Sequence, residues 1–335
     1  MGKFILYTIL KNVGDILRIN FGYVAMSMMI KDCSPSKTVT AKYLNKIEDE
    51  EVRLFKLRSL AKTNIQNTQR LFYHNKAHDI KMYRLTSKLI PLATHPLTQD
   101  WDWFADVKDD LRSLGNYANE NNFRISAHPD HYTLLNSPKE DVLQSSFKDL
   151  DYHYKIFKGM GLDTSAKLIL HIGGKYKDKE SSIDRFIKNY NNLPMHLKEI
   201  LILENDDKVY TAKEVLNICQ KVNVPMVLDI HHHWCNNNGE DLSDFIADIF
   251  NTWEYERVPP KIHLSSPKDK KNFRSHADNI DKDFFLEFLN KTKKLNNNFD
   301  VMIEAKNKDL ALFNLMKDLE SVPQIKILDQ ASIEY

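Results

Sequence analysis

Apolar runs and amphipathic stretches alternate along this 335-residue chain, and the alternation repeats eight times. The runs lie at 19–25, 81–85, 123–127, 168–172, 200–203, 225–230, 261–264 and 301–303, and most are rich in Ile, Leu, Val or Phe. Unbroken apolarity over so short a length predicts parallel strands covered on both faces, because a strand with one wet face would alternate. Helical spacing predicts helices at about 46–78, 100–121, 181–192, 211–222, 241–255, 282–296 and 307–319. The helix after residue 137 is the clearest: Ser137 caps it, Pro138 suits the first turn and Glu140 closes a capping box. Val142, Leu143, Phe147, Leu150, Tyr154 and Phe157 share one face, and Gly159 or Gly161 ends it. Eight strand–helix units predict a single-domain (β/α)8 TIM barrel of the α/β class, with an open doubly wound sheet as the alternative.

The barrel is assigned to residues 19–320, with an N-terminal extension at 1–18 and a C-terminal tail at 321–335. Within the extension, the apolar run from Phe4 to Leu10 sits between Lys3 and Lys11 and is too short to span a bilayer. No small-residue cleavage site follows it, so it reads as a terminal element packing on the body.

Lys plus Arg is 47 against 46 for Asp plus Glu, a net charge of +1, so any nucleic-acid surface must be local and no membrane partner is indicated. With 42% hydrophobic and 28% charged residues, collagenous, disordered and multispan membrane classes are excluded. Only 9 glycines are present, and neither GxGxxG nor GxxxxGK[ST] occurs, so no nucleotide cofactor is expected. Cys33, Cys219 and Cys235 form no disulfide framework or CxxC module, and a reducing, cytoplasmic setting and a monomer are the expectation.

In such a barrel the reactive groups gather at the carboxyl ends of the strands. There the chain places His128, His171, Glu204, Asp229 with His232, His263 and Glu304 on six successive strands, with His276 downstream. Imidazole and carboxylate together bind Zn²⁺, Mn²⁺ and related ions, and this set is too large for one ion. It suits two or three, the arrangement used in phosphodiester hydrolysis. A lone histidine after a strand is more often a hydrogen-bonded structural group. The joint occurrence, and the cost of burying Glu204 or Asp229 without a cation, favours metals.

If His231, His232 and His233 are extended, neighbours alternate faces and only one or two can enter the site with Asp229. His232 is assigned to the site, His231 and His233 to its surroundings, and Cys235 is a bystander. Lys261 lies two residues before His263 and faces the same way. It is a neutral amine, a phosphate contact or a carbamylated lysine, against the plain alternative of a solvated strand start.

Lys268, Lys270, Lys271 and Arg274 against Asp269 give the next loop a local excess of +3, either a phosphate-binding patch or a solvated loop. Tyr23 and Ser27 after the first strand, His95 after the second, and His131-Tyr132 beside His128 are expected to ring the same mouth. The His131-Tyr132 pair, taken as planar, suits a wedge that stacks where bases are displaced. Trp101, Trp103 and Phe104 are assigned to packing at a helix start.

The order and spacing of these groups resemble the ultraviolet-damage endonucleases, relatives of the endonuclease IV barrels, over about residues 20–310. The likeness is carried by Phe21-Gly22-Tyr23-Val24, Pro91-Leu92-Ala93-Thr94-His95-Pro96, His128-Pro129-Asp130-His131-Tyr132, His171-Ile172-Gly173-Gly174 and Leu203-Glu204-Asn205-Asp206-Asp207. It continues through Asp229-Ile230-His231-His232, Lys261-Ile262-His263-Leu264-Ser265-Ser266-Pro267-Lys268, Ser275-His276-Ala277-Asp278 and Met302-Ile303-Glu304-Ala305-Lys306. The resemblance implies an endonuclease that nicks double-stranded DNA immediately 5′ to cyclobutane pyrimidine dimers and 6-4 photoproducts, and often at abasic sites. It implies a first metal on His128, His171 and Glu204, a second on Glu204, Asp229, His263 and Glu304, and a third on His232 and His276. Manganese is the expected ion, with Zn²⁺, Mg²⁺ or Co²⁺ as alternatives.

By the same likeness Lys261 can be carboxylated, and Glu204, Lys261 and Glu304 are the catalytic candidates. Tyr23 and position 27 lie near the lesion, and His131-Tyr132 probe the opposite strand. Position 27 is Ser where some members have Asn, and position 131 is His where some have Gln, departures expected to alter lesion preference while leaving hydrolysis intact. A metal-dependent sugar isomerase shares the barrel and ligand chemistry but gives the basic loop and His131-Tyr132 no task. A lesion-binding protein with structural metals is the non-enzymatic alternative.

Overall fold

A computed structural model of the protein describes residues 17–295 and 297–335. Eight parallel strands follow the predicted runs to within a residue or two: β1 Arg18–Val24, β2 Met82–Leu85, β3 Arg124–Ala127, β4 Lys167–His171, β5 Leu201–Glu204, β6 Met226–Asp229, β7 Lys261–Leu264 and β8 Phe299–Ile303. Each pairs with the next, and β1 pairs with both β2 and β8, so the sheet closes into a barrel and the open-sheet alternative is overturned. The extension assigned to 1–18 lies outside the described residues except for Leu17 and Arg18.

The helices are α1 Ala41–Leu44, α2 Glu50–Ala77, α3 Trp103–Glu120, α4 Glu140–Met160, α5 Lys179–Asn191, α6 Met195–Lys198, α7 Ala212–Val222, α8 Ile230–Cys235, α9 Ile246–Asn251, α10 Lys282–Thr292 and α11 Lys308–Leu319. None of the described helices is long and apolar enough to cross a membrane. Trp101 and Trp103 are buried where α3 begins, capped by Asp102, as expected of packing residues.

Two helix expectations fail locally. No side chain caps α4; Ser137 Oγ instead accepts the Lys139 amide at 3.1 Å in a tight local turn, and the helix starts later, at Glu140. Its other end follows the sequence reading, with Gly161 at φ 69°. The helix expected at 241–255 breaks into a 3₁₀ turn, Leu242–Asp244, and the short α9, because Phe245 leaves helical geometry at φ −142°. The C-terminal residues add β9 Lys326–Asp329 and β10 Ser332–Glu334, a hairpin whose second strand pairs antiparallel with Arg18–Asn20 of β1.

Strand alternation divides the barrel into two chemistries. Phe21, Tyr83, Ile125, Leu168, Leu203, Leu228, Ile262 and Val301 join the helices in one large buried core. Among the described residues a small apolar cluster lies inside the barrel, formed by Ile169, Ile202 and Val227 with Trp253. Around it the interior is polar. Asn20 Nδ2 donates to Asp300 Oδ1 at 2.7 Å, Arg124 pairs with the other Asp300 oxygen, and Lys167 Nζ meets Glu256 Oε1 at 2.7 Å.

Gly22 sits on this inner face opposite Met82, where a Cβ would stand 2.2 Å from the Met82 carbonyl oxygen. Replacing Gly22 with Ala should therefore cost about 2 kcal/mol or more, by the usual penalty for overpacking. Thermal unfolding checks this, and an unchanged midpoint would refute the close β1–β2 approach.

Candidate functional site

The side chains two residues above the small inner cluster are His171, Glu204 and Asp229, so alternation carries them to the carboxyl-end mouth of the barrel. His263 and Glu304 arrive the same way from β7 and beyond β8. Glu204, Asp229 and His263 are wholly buried. Two donor groups form, His128 with His171 and Glu204, and Glu204 with Asp229, His263 and Glu304, the ligand atoms of each lying within 4.8 Å of one another. Glu204 belongs to both. Its Oε2 lies 3.2 Å from His128 Nε2 and 3.8 Å from His171 Nε2, and its Oε1 lies 2.7 Å from His263 Nδ1. His263 Nδ1 is also 3.0 Å from Glu304 Oε1, and Arg84 pairs with that carboxylate.

The histidines are oriented by the main chain. His128, His171, His232 and His276 each donate Nδ1–H to a backbone carbonyl, of Pro129, Glu204, Asn205 and Glu304, at 2.8, 3.3, 2.9 and 2.7 Å. That contact leaves Nε2 of each as the nitrogen available to a metal, the arrangement that outer-shell contacts impose on metal-binding imidazoles. His232 stands 3.7 Å from Asp229 and its ring is 6.3 Å from that of His276. Asp229 Oδ2 and His263 Nε2 are buried without a hydrogen-bond partner.

Burial pushes the Glu204 carboxyl up, but His263, His171 and His128 outweigh it and hold it well below the ordinary carboxylate range. Glu304 is likewise held low against burial, chiefly by Arg84 and then His263. Burial pulls His232 down, yet Asp229, Glu204 and Glu304 lift it to about 9.

The segment 230–235 is helical, not extended: Asp229 Oδ1 caps α8 by accepting the His232 amide at 2.7 Å. His232 still faces the site. Both His231 nitrogens are engaged, by Ser265 Oγ and the Phe273 carbonyl, each at 2.7 Å, which makes it a structural pin. Lys261 is buried on the inner face, so the solvated alternative fails, and its Nζ has no partner. Burial first, and then Arg124, drive its ammonium well below its ordinary pKa.

After β7 the chain folds back on itself, with Lys268 N donating to Ser275 O at 2.8 Å and a bridge between Pro267 and His276. His276 thus stands at the base of a projecting loop, and Lys268, Lys270, Lys271 and Arg274 are exposed on it. His131 lines the mouth, a cavity of about 300 Å³ that includes His128, His171, Glu204, His232 and Glu304. Tyr132 beside it is 57% exposed. The two rings are edge-to-face at 68°, not coplanar. Asp130 steadies the tip, accepting the Tyr132 hydroxyl at 2.6 Å and Ser87 Oγ at 3.0 Å.

Three residues expected at the mouth lie elsewhere. Tyr23 falls on the outward face of β1, buried against Tyr83, with its hydroxyl donated to Asn75 Oδ1 at 2.7 Å. Ser27 is buried against Asp309. His95 caps a 3₁₀ turn, its Nδ1 accepting the Leu97 amide at 3.1 Å, and lines a separate cleft with Trp101 and Tyr152. Sequence reasoning missed Arg84, for which a lone Arg in the otherwise apolar Met82–Leu85 run was the signal.

Comparison with known proteins adds identity to this geometry. The family model described as UV-endonuclease UvdE matches residues 19–335. A protein named UV DNA damage endonuclease from Halalkalibacterium halodurans is 44% identical over 320 residues, covering 95% of this chain and 99% of the relative. One of the same name from Bacillus thuringiensis subsp. konkukian is 42% identical over 315 residues, covering 94% and 99%. The crystal structure of SacUVDE superposes with a TM-score of 0.79 at 31% identity, covering 91% of this chain and 99% of that one. A D-tagatose 3-epimerase-like protein shares the fold alone, at 14% identity and a TM-score of 0.50. With the barrel, its mouth and this match over nearly the whole length in view, the chain belongs to the UV-endonuclease UvdE family.

Proposed function

We propose that this protein is a metal-dependent DNA repair endonuclease that nicks the backbone immediately 5′ to cyclobutane pyrimidine dimers and 6-4 photoproducts, and also at abasic sites. Family membership supports the ultraviolet-lesion substrate. The observation that carries the metal dependence is the pair of donor groups sharing Glu204, with Asp229 Oδ2 buried and unpartnered among them. A desolvated carboxylate cluster of this kind requires cations. His128, His171 and Glu204 would hold one ion, Glu204, Asp229, His263 and Glu304 a second, and His232 with His276 a third. Manganese suits this mixed nitrogen and oxygen set, as do Zn²⁺, Mg²⁺ and Co²⁺. Bound ions would supply Lewis acidity toward water and the phosphate oxygens.

The chain's own residues do the rest. Arg84 fixes Glu304, and the Nδ1 contacts fix the imidazoles, so the donors are preorganised. Lys268, Lys270, Lys271 and Arg274 bind phosphates and carry no sequence information. His131 and Tyr132 probe the strand opposite the lesion from the rim. Hydrolysis releases the 3′-oxygen with no covalent enzyme intermediate. Carboxylation of Lys261 is supported by its unpartnered Nζ and by the cations Arg124, Arg84 and Lys167, which outnumber the one carboxylate, Asp300, acting on it.

Irradiated supercoiled plasmid should be nicked, EDTA should abolish nicking, and added Mn²⁺ should restore it; strand breaks that persist in EDTA would refute the reading. Glu204→Gln should lower the rate by about 10²–10³-fold, on the scale of losing a preorganised electrostatic group.

His232, lifted to about 9 from 6.5, carries a proton at neutral pH that an ion must displace. Since the folded value lies above the unfolded one, its stabilising contribution is complete below about 6.5 and fades as pH rises through about 9. Mn²⁺ uptake by metal-free protein should release protons near pH 7 and tighten toward pH 9. Calorimetric titration in buffers of differing ionisation enthalpy measures this, and buffer-independent heats would remove His232 from the site. Isotopically labelled bicarbonate should enter a carbamate seen by NMR in the wild type and not in Lys261→Met; equal spectra would exclude the modification.

A further inference from the structure

Ser27 and its neighbours do something the sequence did not suggest. The Ser27 hydroxyl donates to Asp309 Oδ2, and Ser27 Oγ in turn accepts the amides of Met29 at 3.0 Å and Ile30 at 3.2 Å. Asp309 Oδ1 accepts the Met28 amide at 2.8 Å, and His74 Nε2 meets Oδ2 at 3.1 Å. Asp309 is wholly buried at the start of α11. At the head of the turn Ala25 is held at φ 64°, its carbonyl accepting from the Tyr83 hydroxyl. A buried carboxylate, a hydroxyl and an imidazole thus brace the backbone of residues 25–30.

What this braced turn displays is apolar. Met28 is 51% exposed and Met29 47%. The turn springs from the mouth itself, for Val24 and Ala25 line the same cavity as His131, His171 and Glu204. Two long apolar side chains therefore stand on the β1 side of the rim, and His131 with Tyr132 on the β3 side.

Resting on the endonuclease reading, we propose that Met28 and Met29 form an apolar wedge that enters the base stack of the bound duplex at the damaged step. Met belongs to the small set of side chains that nucleic-acid-bending proteins insert between bases. Unstacking costs least where damage has already weakened the stack, so a wedge converts that weakness into selectivity. A thioether side chain adapts to photoproducts of different shape, and a prebraced backbone loses little further freedom on insertion. Ser27, buried beneath, acts on DNA only through the turn.

The test uses the full chain with Mn²⁺ and a duplex bearing one cyclobutane dimer flanked by a fluorescent base analogue. Wild-type protein should raise the fluorescence on binding and nick the strand. M28A/M29A should bind about tenfold more weakly without the rise, and M28L/M29L should retain both, since leucine is also an accepted wedge. All three should bind equally to the same lesion in an unpaired bubble, where nothing need be unstacked. Equal binding of the duplex by wild type and M28A/M29A overturns the wedge, as does an equal loss on duplex and bubble, which marks a general defect. Failure of wild-type protein to bind or nick damaged DNA at all refutes the endonuclease reading and takes the wedge with it, an outcome distinct from failure of the variant alone.

Discussion

A carboxylate with no water around it has to be surrounded by positive charge or by groups that can become so, and Glu204 imposes that condition on the whole barrel mouth. Its histidine neighbours answer it. His128, His171 and His263 converge on its two oxygens from β3, β4 and β7, and His232 approaches from α8. Since those residues are drawn from strands far apart in the chain, only a closed barrel lets one side chain meet them all. The closure of β1 on β8, and the Gly22 contact that lets β2 come close, are thus conditions of the site as much as of the fold.

The same condition explains why the barrel interior departs from the apolar filling usual in this architecture. Arg84 under Glu304, Arg124 and Asn20 on Asp300, and Lys167 on Glu256 form a polar base for the mouth. Hydrophobic stabilisation then falls to the outer layer, where the outward faces of the strands meet the helices in a single core. Lys261 Nζ, Ser126 Oγ and Arg124 Nε remain unpartnered inside, a concentration of unsatisfied donors of the kind that functional sites retain at a cost in stability.

Around the mouth, rigidity and exposure are combined. Tyr132 and Met28 both reach solvent while held by a half-buried or buried aspartate, Asp130 accepting the Tyr132 hydroxyl and Asp309 the Met28 amide. The basic loop is anchored at its base by His231 and at its side by Arg274 on the Asp207 carbonyl. The groups proposed to touch DNA are therefore presented by side-chain hydrogen bonds, while the donors beneath are placed by the sheet.

The strands and the imidazole and carboxylate cluster at the mouth were legible in the amino-acid order because both follow strict periodicities. A covered strand is continuously apolar, a barrel places its chemistry just after each such run, and the eight donors fall there one after another. Lys261 and His263 share a face for the same reason. What failed depends either on a local side-chain-to-backbone bond that periodicity does not encode or on a partner distant in sequence. Ser137 lost the α4 cap to a local turn, and Asp229 drew the following histidines into a helix. Tyr23 went outward to Asn75, and Ser27 inward to Asp309 across 282 positions. Sequence periodicity determined which side of a strand a residue takes once its register is known; the barrel's closure, acting over hundreds of residues, decided whether that side was solvent, core or the mouth.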